Sequence, residues 1–465
     1  MPENPSPSGP DSSPAEEAES RPGWLRRRAD AATHRLALAR DTVARHPPPG
    51  PFRPGFWRSP IRGPWLTSVF GLILLFGITT LFVTGLLSYA AYNPRLGAVN
   101  DLTPDHGILG FYLFTWPTRP YWLYRLTQGV HVTLGIALVP VLLAKLWSVM
   151  PRLFVWPPAR TVAQALERLS LLLLVGGVIF EFVTGIFNIQ LWYVFPGSFY
   201  RLHFYGAWVF IGAFVVHVGL KTPRMLASLR SRRLRTELRT GTSHTLAEPA
   251  DPDGLVAAEP AAATVSRRGA VALVGAGSLA LLAVTAGQSI GGVWRPTALL
   301  APRGQNPGSG PNGFQINKTA AFVGVTPELV GPAWRLTLSG GPATMTLTRD
   351  DLLGLATATH ALPIACVEGW STDDQEWTGI PLRDLAALAG APDAGSVLVQ
   401  SVQPAGPFAA AILARNQIRD PRSLLALRVN GADLSLDHGY PARVIVPAAP
   451  GVLNTKWVGR LTFRT

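Results

Sequence analysis

Five stretches of the chain are apolar almost without interruption, at residues 65–88, 121–147, 169–195, 199–220 and 269–287. A helix needs about 20 apolar residues to cross a hydrocarbon core of ~30 Å, so each of the first four is long enough. The fifth is shorter and built mainly of Ala, Gly, Val and Leu; it is the weakest span. Beyond residue 290 the pattern changes to short alternating runs bounded by turns. Trp334-Arg-Leu-Thr-Leu-Ser-Gly-Gly reads as a strand and turn, and Thr348-Arg-Asp-Asp351-Leu-Leu-Gly as a capped short helix. Asn430-Gly431 between two apolar runs is a hairpin signal. The pattern therefore predicts a multi-domain chain: an all-α transmembrane bundle of four helices plus a fifth signal-anchor helix, followed by an α+β domain.

Charge refines this picture. The 465 residues carry a net charge of +13, which raises the question of nucleic acid. The arginines, however, crowd the first 62 residues and the stretch 221–268, both flanking apolar spans, and no basic-aromatic surface pattern accompanies them. A nucleic-acid partner is excluded on that ground, and membrane lipid is the expected surroundings. The loop 148–168 holds Arg152, Arg160 and Arg168, whereas the longer loop 89–120 holds only Arg95 and Arg119. This asymmetry predicts a multi-pass protein of the cell membrane with a cytoplasmic N-terminus, and five crossings put the last domain outside the cytoplasm. Aromatic residues agree, with Trp116, Tyr121, Trp122, Trp192 and Tyr193 at one level and Trp65, Trp147 and Trp156 at the other.

The expected organisation is a disordered cytoplasmic tail at 1–60, rich in Pro, Ser, Glu and Arg; a four-helix membrane domain at 61–225; a basic cytoplasmic linker at 226–268; a fifth helix at 269–290; and an extracytoplasmic domain at 291–465. No apolar stretch follows Met1, so no cleavable signal peptide is expected. Ser266-Arg267-Arg268-Gly, just ahead of the fifth span, reads as an internal twin-arginine signal, which would make the twin-arginine translocase a partner during export. The alternative is a simple positive flank.

Three of the nine histidines lie inside apolar spans: His131 in the second, His203 and His217 in the fourth. Polar rings in lipid are costly unless paired or ligated. His203 and His217 are 14 residues apart, which leaves them ~40° apart on one helix face and ~21 Å apart along it. Arg125-Leu-Thr-Gln-Gly-Val-His131 and His203-Phe-Tyr-Gly-Ala-Trp-Val-Phe-Ile-Gly-Ala-Phe-Val-Val-His217 resemble the integral cytochrome b subunits of formate dehydrogenases and nickel-iron hydrogenases over roughly residues 60–225. The resemblance implies b-type haem, one or two, with these histidines as iron ligands and the quinone pool as a partner. Depth favours His131 with His203, and pairing of His131 with His217 stays open. The two-haem relatives use a first-helix histidine, and the first span here has none. Glu181 in the third span is a candidate for quinone or proton chemistry, against the plainer reading of a helix-packing hydrogen bond.

Cys366 is the only cysteine, in His360-Ala-Leu-Pro-Ile-Ala-Cys366-Val-Glu-Gly-Trp370. It cannot form an internal disulfide, which leaves packing, nucleophilic chemistry or metal ligation. Together with His438-Gly-Tyr-Pro-Ala-Arg443 and Asn454-Thr-Lys456-Trp, this run resembles the molybdopterin-binding domain of the sulfite oxidase family, which includes periplasmic methionine sulfoxide reductases, over about residues 310–465. The resemblance implies that Cys366 binds molybdenum and is the catalytic residue. It implies that Asn317, Ser401, His438, Arg443 and Lys456 hold the molybdopterin, and that Trp370, Asp373 and Asp374 shape the mouth. The arginine that closely follows the cysteine in sulfite oxidases is missing after Cys366, which weakens sulfite as a substrate.

The expected function is a membrane-bound molybdenum-cofactor oxidoreductase that exchanges electrons between a small extracytoplasmic substrate (a sulfoxide, an N-oxide or a sulfite-like molecule) and quinone through b-type haem. The alternatives are a cofactor-free binding or sensory module on a membrane anchor and a haem-only electron carrier.

Overall fold

The computed structural model describes residues 46–92, 114–158, 161–192, 199–251, 253–303 and 307–465, with isolated positions 31, 34, 35, 42 and 194. Most of the tail expected at 1–60, together with Tyr193 and the end of the third span, lies outside the described residues.

Five helices long and apolar enough to cross a membrane follow in order: α1 (Pro64–Ala91), α2 (Leu123–Leu153), α3 (Val162–Ile189), α4 (Phe199–Ser231) and α5 (Arg267–Ala283). Local chemistry sets their starts. Pro64 opens α1, where its missing N–H costs nothing. Thr161 caps α3 by accepting from Gln164 N, and Ser266 caps α5 by accepting from Gly269 N. The fourth helix runs eleven residues past the apolar span at 199–220, because the Lys- and Arg-rich residues that follow are good helix formers.

The boundary expected at 225 therefore falls at 231. The basic linker beyond it is folded against the end of the bundle. Arg267 is buried, lies 3.4 Å from Glu237 and 3.8 Å from Glu248, and donates to the carbonyl of Leu246. Asp253 gathers Arg152, Lys221 and Arg224.

The bundle contains a repeat. Gly77-Ile-Thr-Thr-Leu81-Phe-Val-Thr-Gly85 on α1 and Gly177-Val-Ile-Phe-Glu181-Phe-Val-Thr-Gly185 on α3 are identical at five of nine positions. Each precedes a helix that carries an intramembrane histidine, so α1–α2 and α3–α4 are two versions of one helix pair.

The second domain mixes strands and short helices: β1 (Leu336–Ser339), β2 (Thr344–Leu347), α6 (Arg349–Leu353), β3 (Ala358–Leu362), β4 (Gln375–Pro381), α7 (Leu382–Leu388), β5 (Ser396–Ser401), β6 (Ala410–Ala414), α8 (Arg415–Arg419), β7 (Leu424–Val429), β8 (Ala432–Asp433), β9 (Arg443–Ile445) and β10 (Val458–Arg464). One sheet has the order β2-β1-β10-β5-β6. The other has β3-β4-β7-β8, with β9 also paired to β7. All pairs are antiparallel except β1 with β10, which run parallel with Leu338 beside Leu461. The capped α6 has the expected capping box between Thr348 and Asp351, and Asn430-Gly431 turns with positive φ at both residues.

The two parts share one core. Ala90, Ala91, Tyr92, Trp116 and Tyr124 pack in the same buried cluster as Leu336, Val399 and Val444. Trp116 is thus buried under the second domain and does not form part of an aromatic belt; its indole donates to the carbonyl of Ala448 at 2.6 Å.

Candidate functional site

Cys366 sits at the start of a tight turn. Its N–H donates to the Trp370 carbonyl at 2.9 Å and its carbonyl accepts from Gly369 N at 3.0 Å. Gly369 has φ +89°, a conformation that glycine adopts without penalty. Ala365, one residue earlier, bridges to Pro450 and accepts from Gly451 N at 2.7 Å, which ties the turn to the 450s loop. The thiol is buried, and burial together with the Glu368 charge holds its pKa well above the usual thiol value. Such a thiol is a poor nucleophile by itself. A coordinated metal would remove its proton, so ligation is the chemistry this environment suits.

Facing Cys366 across one cavity are Asn317, Lys318, Trp370, His438, Arg443 and Lys456. Among the described residues neither Arg443 nor Lys456 forms an ion pair within 4 Å, and the one carboxylate lining the cavity, Asp437, acts on Lys456 only at longer range. Arg443 donates to the carbonyls of His438 and Asn454 at 2.9 and 3.2 Å, while its Nε has no partner. Lys456 donates to the carbonyls of Lys318 and Asp437. Burial lowers the Arg443 pKa to about 9. Burial and then the Arg443 charge lower Lys456 to about 7. His438 is pushed down to about 3, first by burial and then by Arg443; its ring also touches Phe314. Two buried cations bonded to carbonyls, with a single carboxylate nearby, keep a net positive charge and form a seat for an anion, and the phosphate of a pterin cofactor fits that description. The unpartnered Asn454 Nδ2 and Thr455 Oγ1 supply further hydrogen-bonding capacity at the same wall.

Other expected residues fall elsewhere. Ser401 is not among the residues lining the cavity; its hydroxyl accepts from Gln403 N at 3.1 Å, and it is Gln403 that reaches the wall. Asp373 and Asp374 lie away from the mouth and fasten the domain to its neighbours. Asp373 pairs with Arg295 at 3.1 Å, and Asp374 accepts from the Tyr121 hydroxyl at 3.0 Å. They are close to Cys366 in sequence, but the strand that they lead into carries them outward. Arg303 is a residue that sequence reasoning missed. Its Nε lies 3.7 Å from the Glu368 carboxylate, and its charge acts on the Cys366 thiol.

A second constellation lies in the bundle. The rings of His131 and His203 face each other with centroids 6.4 Å apart and planes at 79°. His131 Nδ1 is 3.0 Å from the Leu81 carbonyl and 3.0 Å from Thr84 Oγ1. His203 Nδ1 is 3.1 Å from Glu181 Oε2 and 3.0 Å from Thr184 Oγ1. The two versions of the repeat thus each engage one Nδ1, and among the described residues neither Nε2 has a protein partner. With metal–nitrogen bonds of about 2 Å and a further ~1 Å to each ring centre, two axial imidazoles stand about 6 Å apart. The observed spacing fits bis-histidine ligation. Gly85 and Gly185 face the two rings and keep the walls open. His217 lines a different cavity, toward the opposite end of the bundle, so it is His203 that meets His131.

The two constellations touch. Val367, next to Cys366, lines the cavity between His131 and His203, and its carbonyl accepts from Gln128 Nε2 at 2.6 Å. Gly369 abuts Val132 so closely that a Cβ would collide with it. Ser371 Oγ donates to the Ser289 carbonyl at 2.8 Å, and Arg125 Nε donates to the same carbonyl at 2.8 Å.

A buried thiol opposite two buried cations, in a domain of two small sheets, is a site suited to a metal-bearing anionic cofactor. Residues 323–465 match the family described as "Oxidoreductase molybdopterin binding domain", and the C-terminal part of the chain is a domain of this kind, of the sulfite oxidase family. The chain is 29% identical over 165 residues to the mitochondrial sulfite oxidase of Homo sapiens, covering 30% of each chain. It is 27% identical over 183 residues to the nitrate reductase [NADH] of Volvox carteri, covering 32% of this chain and 21% of that one. An uncharacterized oxidoreductase, YuiH, of Bacillus subtilis is 29% identical over 126 residues, or 26% of this chain and 59% of the relative. The sulfane dehydrogenase SoxCD of Paracoccus pantotrophus has 26% identity over 29% of this chain and 38% of its own, with a TM-score of 0.26. The chain thus spans about 30% of the length of the sulfite oxidases that it matches.

Proposed function

We propose that this chain is a membrane-anchored molybdenum oxidoreductase in which Cys366 ligates the metal and His131 and His203 ligate a b-type haem that exchanges electrons with quinone. One observation carries the coupling: the three-residue stretch that holds Cys366 also roofs the histidine cavity, through Val367 and its hydrogen bond from Gln128. When bound, the molybdenum cofactor supplies two-electron oxygen-atom exchange and the haem supplies one-electron transfer.

The chain's own residues do the rest. Cys366 would hold the metal as a thiolate, a form that burial and the Glu368 charge oppose in the empty site and the Arg303 charge favours. Arg443 and Lys456 bind the anionic end of the pterin, with Asn317 and His438 on the same wall. Thr84 and Thr184 fix the two imidazole rings through Nδ1, so that each Nε2 is presented inward. Glu181, which also lies against His203 Nδ1 and has no counterpart at His131, makes the two histidine environments unequal. The substrate is a small sulfoxide, N-oxide or sulfite-like molecule on the outer face of a cell membrane, with the second domain exported by the twin-arginine route.

Metal analysis and a dithionite-reduced visible spectrum of the purified full chain test this reading. Molybdenum and a reduced b-type band are both expected, with Cys366→Ser losing the first and His203→Ala the second. Protein from a cofactor-competent host that contains no molybdenum would overturn the enzyme reading. Absence of the b-type band would overturn the haem reading and leave the histidines as packing residues.

A further inference from the structure

The backbone around Cys366 finds its partners in two different parts of the chain. Ahead of the thiol the partners belong to the second domain: Thr372 N donates to the Ile364 carbonyl at 2.8 Å, and the Thr372 hydroxyl accepts from Ile364 N at 2.9 Å. Beyond the thiol they come from the membrane half and the segment that leaves it. Ser289 Oγ donates to the Gly369 carbonyl, Ser371 N donates to the Gln288 carbonyl at 2.9 Å, and Arg295 Nη2 donates to the Ser371 carbonyl at 2.9 Å. Gln288 and Ser289 belong to the short helical turn Gly287–Ile290 that follows α5.

That turn is itself fixed by α2. Gly129 lets it come close: a Cβ there would stand 2.9 Å from Ser289 Cβ and 3.1 Å from its Oγ. Arg125, one turn earlier on the same helix, donates to the carbonyls of Ser289 and Ile290. Gln288, Ser289, Ser371 and Cys366 are all buried, so a bond lost here leaves a carbonyl unpaired away from solvent. The route from Ser289 to the thiol is short. Gly369, whose carbonyl it grips, closes the turn onto the Cys366 carbonyl, and the next residue, Trp370, accepts from Cys366 N.

We infer that Ser289 is a positioning residue for Cys366: through the Gly369 carbonyl, the membrane half sets where the thiol stands in its cavity. The purpose of that position rests on the reading of Cys366 as the metal ligand, since partners behind a ligand orient it and tune the metal. The second domain alone then holds only one side of its own ligand turn.

Cys366 is the only cysteine, so thiol labelling reads its position without interference. In full chain made without molybdenum cofactor, Ser289→Ala should raise the rate of maleimide labelling about five- to tenfold, the added opening expected when one buried hydrogen bond is lost. Gly129→Ala, which pushes Ser289 aside from the α2 side, should do the same. In loaded, partly reduced protein both variants should keep their molybdenum yet shift the g values of the Mo(V) electron paramagnetic resonance signal, which follow the orientation of the sulfur ligand. Either readout unchanged in both variants would overturn the inference, even if their unfolding midpoints fell. No molybdenum in the unmodified chain would overturn the ligand reading instead, and the labelling assay, which needs no cofactor, would still decide the role of Ser289.

Discussion

Lys456 offers a direct test of whether the cavity beside Cys366 is an anion seat. Burial and the Arg443 charge take its pKa from 10.5 to about 7. Between those limits the unfolded chain holds the proton and the folded, cofactor-free chain does not. Stability of the cofactor-free protein therefore rises with pH from about 7, to a gain of about 2–3 kcal/mol by pH 9. His438, lowered to about 3, titrates below this window, and Arg443, lowered to about 9, begins to titrate only at its upper end, where it adds to the rise. An anionic cofactor restores the charge, so binding takes up a proton above pH 7 and its affinity falls about tenfold per unit. Two measurements follow. Thermal unfolding of full chain made without molybdenum cofactor should gain several degrees between pH 7 and 9 relative to Lys456→Gln. Release of pterin from the loaded protein, followed by fluorescence, should rise up to about 100-fold over the same range, and Lys456→Gln should flatten that dependence. Equal pH profiles for the two proteins in both assays would refute the reasoning.

Gln128→Leu removes the hydrogen bond to Val367 without touching either ligand set. It should leave molybdenum and haem contents unchanged and dye-linked turnover near normal, yet slow haem reduction by substrate in stopped-flow several-fold. Gly369→Ala places a Cβ against Val132 at a φ of +89°. A loss of about 1–3 kcal/mol is expected, read as a lower unfolding midpoint together with slower haem reduction. Asp373→Asn weakens the pair with Arg295; the carboxylate is half exposed and the buried guanidinium keeps its bond to the Ser371 carbonyl, so the midpoint should shift by no more than about 1 kcal/mol.

Much of this architecture was legible in the chain because its signals are local. Long apolar runs announce helices without any partner, and Asn430-Gly431 announces its turn through backbone sterics alone. Histidines 14 apart share a face by helix geometry. Cys366, Arg443 and Lys456 could be brought together only by resemblance, since 77 and 13 residues separate them. What escaped was set by tertiary contact. Gln128 meets Val367 across 239 positions, and Arg303 reaches the Cys366 turn from upstream with no motif to mark it. Asp373 and Asp374 were expected at the mouth because they follow the ligand closely, but one strand reversal points them at Arg295 and Tyr121. The Val-Thr-Gly repeat was within reach of sequence alone. Comparison of the chain with itself would have shown which threonines steady which rings.

The parallel pairing of β1 with β10 bears on how the protein is made. The first and last strands of the second domain are neighbours, so loop closure over more than 120 residues is needed before the sheet is complete. Arg443 and Lys456 lie within that final stretch. A nascent chain still lacking β10 already carries Cys366, Arg443 and Lys456 but not the finished sheet behind them. The seat beside Cys366 is therefore complete only once β10 has emerged and slotted between β1 and β5, and a lesion confined to that one strand should abolish loading although every residue lining the cavity is still present.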